Sequence, residues 1–313
     1  MFETILIQML ILFLFIAIGY VFAKANVVPN NSENVLSKLV TFLFNPALIL
    51  TTFIKNCTIE KLSQSWRLLL VSTCILVVVI PLSFFIAKRC SKEKFVQNIY
   101  VYGLCFSNFG FMGNAIVSAV FPHIFMEYSL FCIVLWVLIY VWAVPVLLMG
   151  QDFGKSPIKE KIKCFTNPMI IAVLIGVLIG LTGLQLPHFA IDITDKLGNC
   201  MSPVAMLLTG MTIARRNIKE VLKPKSIYVV SAFRLIIFPM IFIIVAMLVP
   251  MDITIVKCAF LSLAMPLGLN TIVIPSAYGQ DTKVASGMAL VSHVLACITI
   301  PIMYKILELL VLT

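Results

Sequence analysis

The stretch Leu263-Ala-Met-Pro-Leu-Gly-Leu-Asn-Thr-Ile-Val273 sets Pro266 and Gly268 inside an apolar run long enough to cross a membrane. Proline has no amide hydrogen and its ring clashes with the preceding turn, so a helix here should break near Pro266 and leave backbone groups unpaired. In hydrocarbon, unpaired groups persist only where protein buries them or a water-filled cavity meets them. A broken span therefore predicts a cavity. Half a chain earlier lies Ser107-Asn-Phe-Gly-Phe-Met-Gly-Asn-Ala-Ile-Val117, whose Gly110 and Asn114 precede Pro266 and Asn270 by the same 156 positions. Two matched interruptions point to the binding site of a transporter.

Composition fixes the class. The chain is 61% hydrophobic and 12% charged, with a mean hydropathy of +1.10, which the surface of a soluble protein of this size does not tolerate. The net charge of +10 is spread between apolar runs instead of forming one basic patch, so no nucleic-acid partner is expected. Nine cysteines stand singly, without a Cys-x-x-Cys, and read as small packing residues; no metal or cofactor is implied. Ala23-Lys-Ala25 resembles a signal-peptidase site, but the start lacks a basic region and the apolar stretch is long, so it is kept as a real span.

About 20 apolar residues cross a bilayer. That rule predicts an all-α integral membrane protein with ten spans, near 4–24, 35–54, 66–87, 97–120, 125–149, 167–185, 196–214, 227–249, 255–278 and 284–311. Loops after odd-numbered spans hold fifteen Lys and Arg and the opposite side six, which places the odd loops in the cytoplasm and both termini outside the plasma membrane. Pro29, Pro46, Pro81 and Pro145 are followed at separations of 156 to 158 by Pro187, Pro203, Pro239 and Pro301. The halves, 1–150 and 167–313, are thus related across a linker at 151–166. With five spans in each, the repeat has inverted topology, an arrangement suited to alternating access.

At spans 4 and 9 the half-helices should present amide hydrogens and a partial positive charge to the midplane, which suits a carboxylate. One helix end contributes only about 0.3–2 kcal/mol, so two ends, at Gly110 and at Pro266 and Gly268, must combine with side-chain donors. Asn108, Asn114 and Asn270 are the candidates, and capping of the broken helices is the alternative role for each. Asn45-Pro46 in span 2 forms a pair with Ser202-Pro203 in span 7, as ligand contact or as a simple kink. Three ionisable residues fall inside spans. Lys38 lies near a span end and should reach outward. Arg234 either attracts anions or holds carbonyls freed near Pro239. His293 is either a packed neutral ring or a proton-coupling group. All thirteen Asp and Glu residues lie at span ends or in loops, which disfavours a cation substrate and sodium coupling.

At Phe44-Asn-Pro-Ala-Leu48, Gly113-Asn-Ala-Ile116 and Met265-Pro-Leu-Gly-Leu-Asn-Thr271 the sequence resembles the auxin efflux carrier family, which includes plant PIN-type exporters and bacterial permeases for malate or malonate. The resemblance spans nearly the whole chain. It implies a fold similar to that of bile-acid symporters, with spans 1, 2, 6 and 7 as scaffold and homodimer surface, and spans 3–5 and 8–10 as a moving transport domain. It also implies that the crossing of the broken spans binds the substrate carboxylate, with Asn114 and Asn270 at the matching positions. The central loop of 17 residues is shorter than the regulated loop of many plant members, and nothing points to auxin itself.

The sequence thus predicts a secondary carrier of small organic anions, mono- or dicarboxylates, in the bilayer. A membrane-embedded carboxylate sensor is the alternative. An intramembrane enzyme is disfavoured, since His-Glu-x-x-His, Gly-x-Ser-x-Gly and paired buried aspartates are all missing.

Overall fold

The computed structural model describes residues 2–29, 32–148, 168–184, 186–215, 217–277 and 283–312, so the expected linker at 151–166 lies outside the described residues. The elements are α1 (Phe2–Lys24), α2 (Ser32–Asn56), α3 (Trp66–Cys90), the half-helices α4a (Lys94–Cys105) and α4b (Phe109–Val120), and α5 (Pro122–Leu148). They continue with α6 (Pro168–Thr182), α7 (His188–Ala214), α8 (Lys225–Leu248), the half-helices α9a (Ile253–Ala264) and α9b (Asn270–Ala277), and α10 (Lys283–Leu312). Among the described residues seven helices are long and apolar enough to cross a membrane, and Phe109–Val120, Pro168–Thr182 and Ile253–Ala264 are shorter apolar helices. Large apolar side chains face outward, with Val77 66% and Leu178 64% exposed, as lipid contact requires. The protein is an all-α membrane protein.

One boundary differs from the expectation. The span expected at 196–214 begins at His188, because α7 opens with a helix carrying Asp192, Asp195 and Lys196, charges that conceal it from a hydropathy window. A bend at Cys200 joins the two parts. Lys38 is exposed, in keeping with an outward-reaching side chain.

Two layers of helix pairs organise the molecule. Helix α1 runs along the second part of α7, and α6 runs along the second part of α2. These pairs meet backbone to backbone. A Cβ placed on Gly210 would stand 1.9 Å from the Ile16 carbonyl oxygen, and one on Gly19 would stand 2.1 Å from that of Leu207. Small residues of this kind let helices approach where lipid supplies no hydrophobic drive to associate. The second layer holds α3 against α4a and α5, and α8 against α9a and α10. Ion pairs sit toward the ends of the helices: Arg215 with Glu33, Lys283 with Glu220, Lys55 with Asp195 of α7, and Lys61 with Glu127 of α5.

Two prolines reshape their helices without ending them. Pro46 and Pro239 each follow a π-helical turn, Val40–Phe44 and Phe233–Ile237. The residue before each proline, Asn45 or Phe238, donates its amide five residues back, to Val40 or Phe233. The wider turn relieves the clash between the ring and the carbonyl four residues earlier. Arg234 lies within one such turn and Asn45 directly follows the other, and both are turned inward, each 1% exposed.

Candidate substrate cavity at the helix crossing

The two broken helices cross and repair each other. Pro266 has no amide hydrogen to donate to Ser262, so that carbonyl accepts instead from Ser107 Oγ at 2.8 Å. The Asn108 amide, freed from Leu104 by the break in α4, donates to the Pro266 carbonyl at 2.7 Å, and a single antiparallel bridge pairs Ser107 with Leu267. Gly268 makes the approach possible, since a Cβ there would stand 3.0 Å from the Phe106 carbonyl oxygen and 3.2 Å from that of Ser107.

Arg234 completes the repair. Its Nε donates to Met265 O at 3.2 Å, Nη1 to Leu104 O at 3.0 Å and Nη2 to Ser262 O at 2.7 Å. All three acceptors are carbonyls released by the breaks in α4 and α9, and none lies beside Pro239, where the sequence had suggested them. The planar fork of a guanidinium suits three divergent acceptors in a way an ammonium does not. Arg234 therefore braces the crossing, and it does not line the cavity described next.

Beside the crossing is a cavity of about 50 Å³. Thr41 and Asn45 of α2, Tyr102 of α4a, Asn108 and Gly110 at the start of α4b, and Gly268 and Asn270 at the start of α9b all line it. Trp136 and Ile139 of α5 and Met169 of α6 supply its apolar wall. Met112 N already donates to the Asn108 carbonyl, and Thr271 N and Ile272 N to those of Gly268 and Leu269, so only the earliest amides of each half-helix are left to face this space. Asn270 Nδ2 donates to the Tyr102 hydroxyl at 3.0 Å, and Asn45 Nδ2 donates to the Gly110 carbonyl at 3.2 Å.

Of the residues singled out from sequence, Asn45, Asn108, Gly110, Gly268 and Asn270 meet at this cavity. Pro266 forms the turn behind it. Asn114 is one layer back, fully buried, with Nδ2 donating to Asn45 Oδ1 at 2.8 Å and its own Oδ1 accepting nothing from the described residues. His293 on α10 is buried, with Nδ1 2.8 Å from the Ala289 carbonyl and Nε2 2.9 Å from Asn108 Nδ2. Tyr102, Trp136 and Thr41 were not anticipated. A tyrosine in an apolar run reads as packing, and only the partner, Asn270, 168 positions away, reveals its hydroxyl as part of the site.

A larger cavity of about 430 Å³ lies beyond the Asn45–Asn114 layer, toward the end of the bundle that carries Lys55 and Asp195. Leu48, Thr51 and Thr52 of α2 face Ala115, Ser118 and Ala119 of α4b across it. The two asparagines thus separate two cavities on opposite sides of the crossing.

Broken spans that meet in a polar cavity inside an apolar bundle define a membrane transporter. Comparison with known proteins agrees: the membrane transport protein family matches residues 4–304. The chain belongs to that family, the one that includes the auxin efflux carriers. It is also 22% identical over 304 residues to an uncharacterized transporter of Methanocaldococcus jannaschii, covering 93% of this chain and 95% of that protein.

Proposed function

We propose that the protein is a secondary carrier of small organic anions, mono- or dicarboxylates, working by alternating access in the plasma membrane. The observation that carries this reading is the convergence of two half-helix amino termini with Asn45, Asn108, Asn270 and Tyr102 on one small cavity. Fixed donors aimed at one point, and no carboxylate lining that space, favour an anion. The earliest amide N–H groups of α4b and α9b, left without helical acceptors, hold the carboxylate. Asn270 adds a donor, because its Nδ2 carries a second hydrogen beyond the one given to Tyr102.

In this reading the chain is a ten-span, five-plus-five inverted repeat with both termini outside. The scaffold is α1, α2, α6 and α7, through which two copies pair, and the moving unit is α3–α5 and α8–α10. The backbone contacts at Gly19 and Gly210 suit a rigid scaffold. The larger cavity is the outer vestibule, and the Asn45–Asn114 hydrogen bond is the contact between scaffold and moving unit that must part for the anion to pass.

Substrate affinity tests the site. Asn270→Ala is expected to weaken binding of the transported carboxylate by about tenfold, the equivalent of ~1.4 kcal/mol, with an unchanged melting temperature. Tyr102→Phe, which leaves Asn270 without its hydroxyl partner, should follow in the same direction with a smaller loss. Unchanged affinity in Asn270→Ala across malate, malonate and an aromatic carboxylate would remove the crossing as the binding site.

A further inference from the structure

The pair formed by His293 and Asn108 holds more information than a packed histidine needs. A carbonyl oxygen can only accept, so the 2.8 Å contact to Ala289 O fixes the hydrogen on His293 Nδ1. A neutral ring then has a bare lone pair at Nε2, and the Asn108 atom 2.9 Å away must be the amide nitrogen, as found. Asn108 therefore turns its donor toward α10 and leaves its oxygen as the amide's other face. Asn108 also lines the cavity at the crossing. With a neutral His293, one Nδ2 hydrogen is spent on the ring, so the amide keeps at most one for an anion in that cavity.

Protonation reverses this. A cationic ring donates from both nitrogens, so Nε2–H needs an acceptor and the Asn108 amide must rotate to present Oδ1. The same rotation releases both Nδ2 hydrogens from the ring as donors for the anion. We propose that His293 is a proton-binding site that couples the carrier to H⁺, with the Asn108 amide as the reversible element that relays protonation to the anion. This rests on the carboxylate-carrier reading above.

The surroundings supply the thermodynamic reason for coupling. Tyr20 of α1 shares with His293 an apolar cavity also lined by Ile213 of α7, and the Cys297 thiol lies one turn further along α10. Tyr102 of α4a lines the other cavity with Asn108. Arg234 of α8 spends its donors on the crossing carbonyls, and Glu220 is paired with Lys283 at the far start of α10. Among the described residues no carboxylate lines either cavity that His293 or Asn108 adjoins, so neither lining offers a counter-charge for an imidazolium. The anion provides it. Proton and carboxylate each favour the other's presence, and a monoanion with one proton crosses the low-dielectric centre without net charge.

Isothermal titration of the purified full-length protein with malate, malonate and an aromatic carboxylate, near neutral pH in two buffers of different ionisation enthalpy, counts the protons taken up per anion. Wild type is expected to take up close to one proton per bound anion. In His293→Gln the uptake falls to near zero and affinity weakens by about tenfold. Asn108→Ala, which keeps the histidine and removes the relay, loses the proton uptake too, and each variant is first shown to be monodisperse and to melt as a single transition. Anion binding without proton uptake in wild type, or full uptake in either variant, overturns the proposal while leaving the carrier reading intact. Failure of wild type to bind any of the three carboxylates overturns the carrier reading and this coupling with it.

Discussion

Arg234→Met is expected to cost about 2–4 kcal/mol and to lower the melting temperature of the protein. Deleting the guanidinium leaves the Leu104 and Met265 carbonyls without their donor, at about 1–3 kcal/mol each, while Ser262 keeps the Ser107 hydroxyl. Release of a buried cation offsets part of that loss, which sets the expected range in the lower half. Arg234→Lys separates the two contributions. It retains the charge but not the three-way fork, so it should also melt below wild type. Thermal unfolding in detergent measures both. A wild-type melting curve for Arg234→Met would mean that the broken helices satisfy each other without the brace.

Gly210→Val should prevent assembly of the folded protein. The new side chain would have to occupy a position 1.9 Å from the Ile16 carbonyl, and both partners in that clash are helix backbone, so no rotamer relieves it. Overpacking that side chains absorb costs about 1–3 kcal/mol, and a backbone clash exceeds it. The expected result is aggregated or absent protein on size exclusion. Gly110→Ala is the contrast, because a Cβ there meets only Trp136 Nε1, at 3.7 Å. That variant should fold normally and bind carboxylate less well, since the methyl group narrows the cavity. Normal folding of Gly210→Val would show that α1 and α7 are not held in the arrangement described.

These two residues also mark how far the sequence could be read. The breaks were legible because proline acts locally: Pro266 must orphan the Ser262 carbonyl whatever surrounds it. Asparagines beside the breaks were legible as candidates for the same reason. What they touch was not. Arg234 was recognisable as a costly residue two turns inside a span, yet its acceptors are 28, 31 and 130 positions away on two other elements. The separation between Asn45 and Asn114, 69 positions, likewise hides the fact that one stands behind the other. The start of α7 was misjudged because Asp192, Asp195 and Lys196 lower local hydropathy, although they belong to the same apolar helix.

The proposed alternating access would make one further demand on this geometry. The Asn45–Asn114 and Asn45–Gly110 hydrogen bonds join α2 to α4b directly, so the proposed motion of one against the other would break both. Neutral hydrogen bonds contribute about 0.5–1.5 kcal/mol each, small enough to exchange on a transport cycle and large enough to favour one state at rest. The arrangement suits a reversible barrier between the cavities.

Counterflow in proteoliposomes tests the central claim most directly. Vesicles loaded with unlabelled malate, malonate or an aromatic carboxylate are diluted into the same labelled anion, with sodium present or absent. The account predicts saturable, transient accumulation of label for at least one carboxylate, independent of sodium and strongly reduced in Asn270→Ala. Binding of a carboxylate without any exchange would contradict transport and make the protein a sensor.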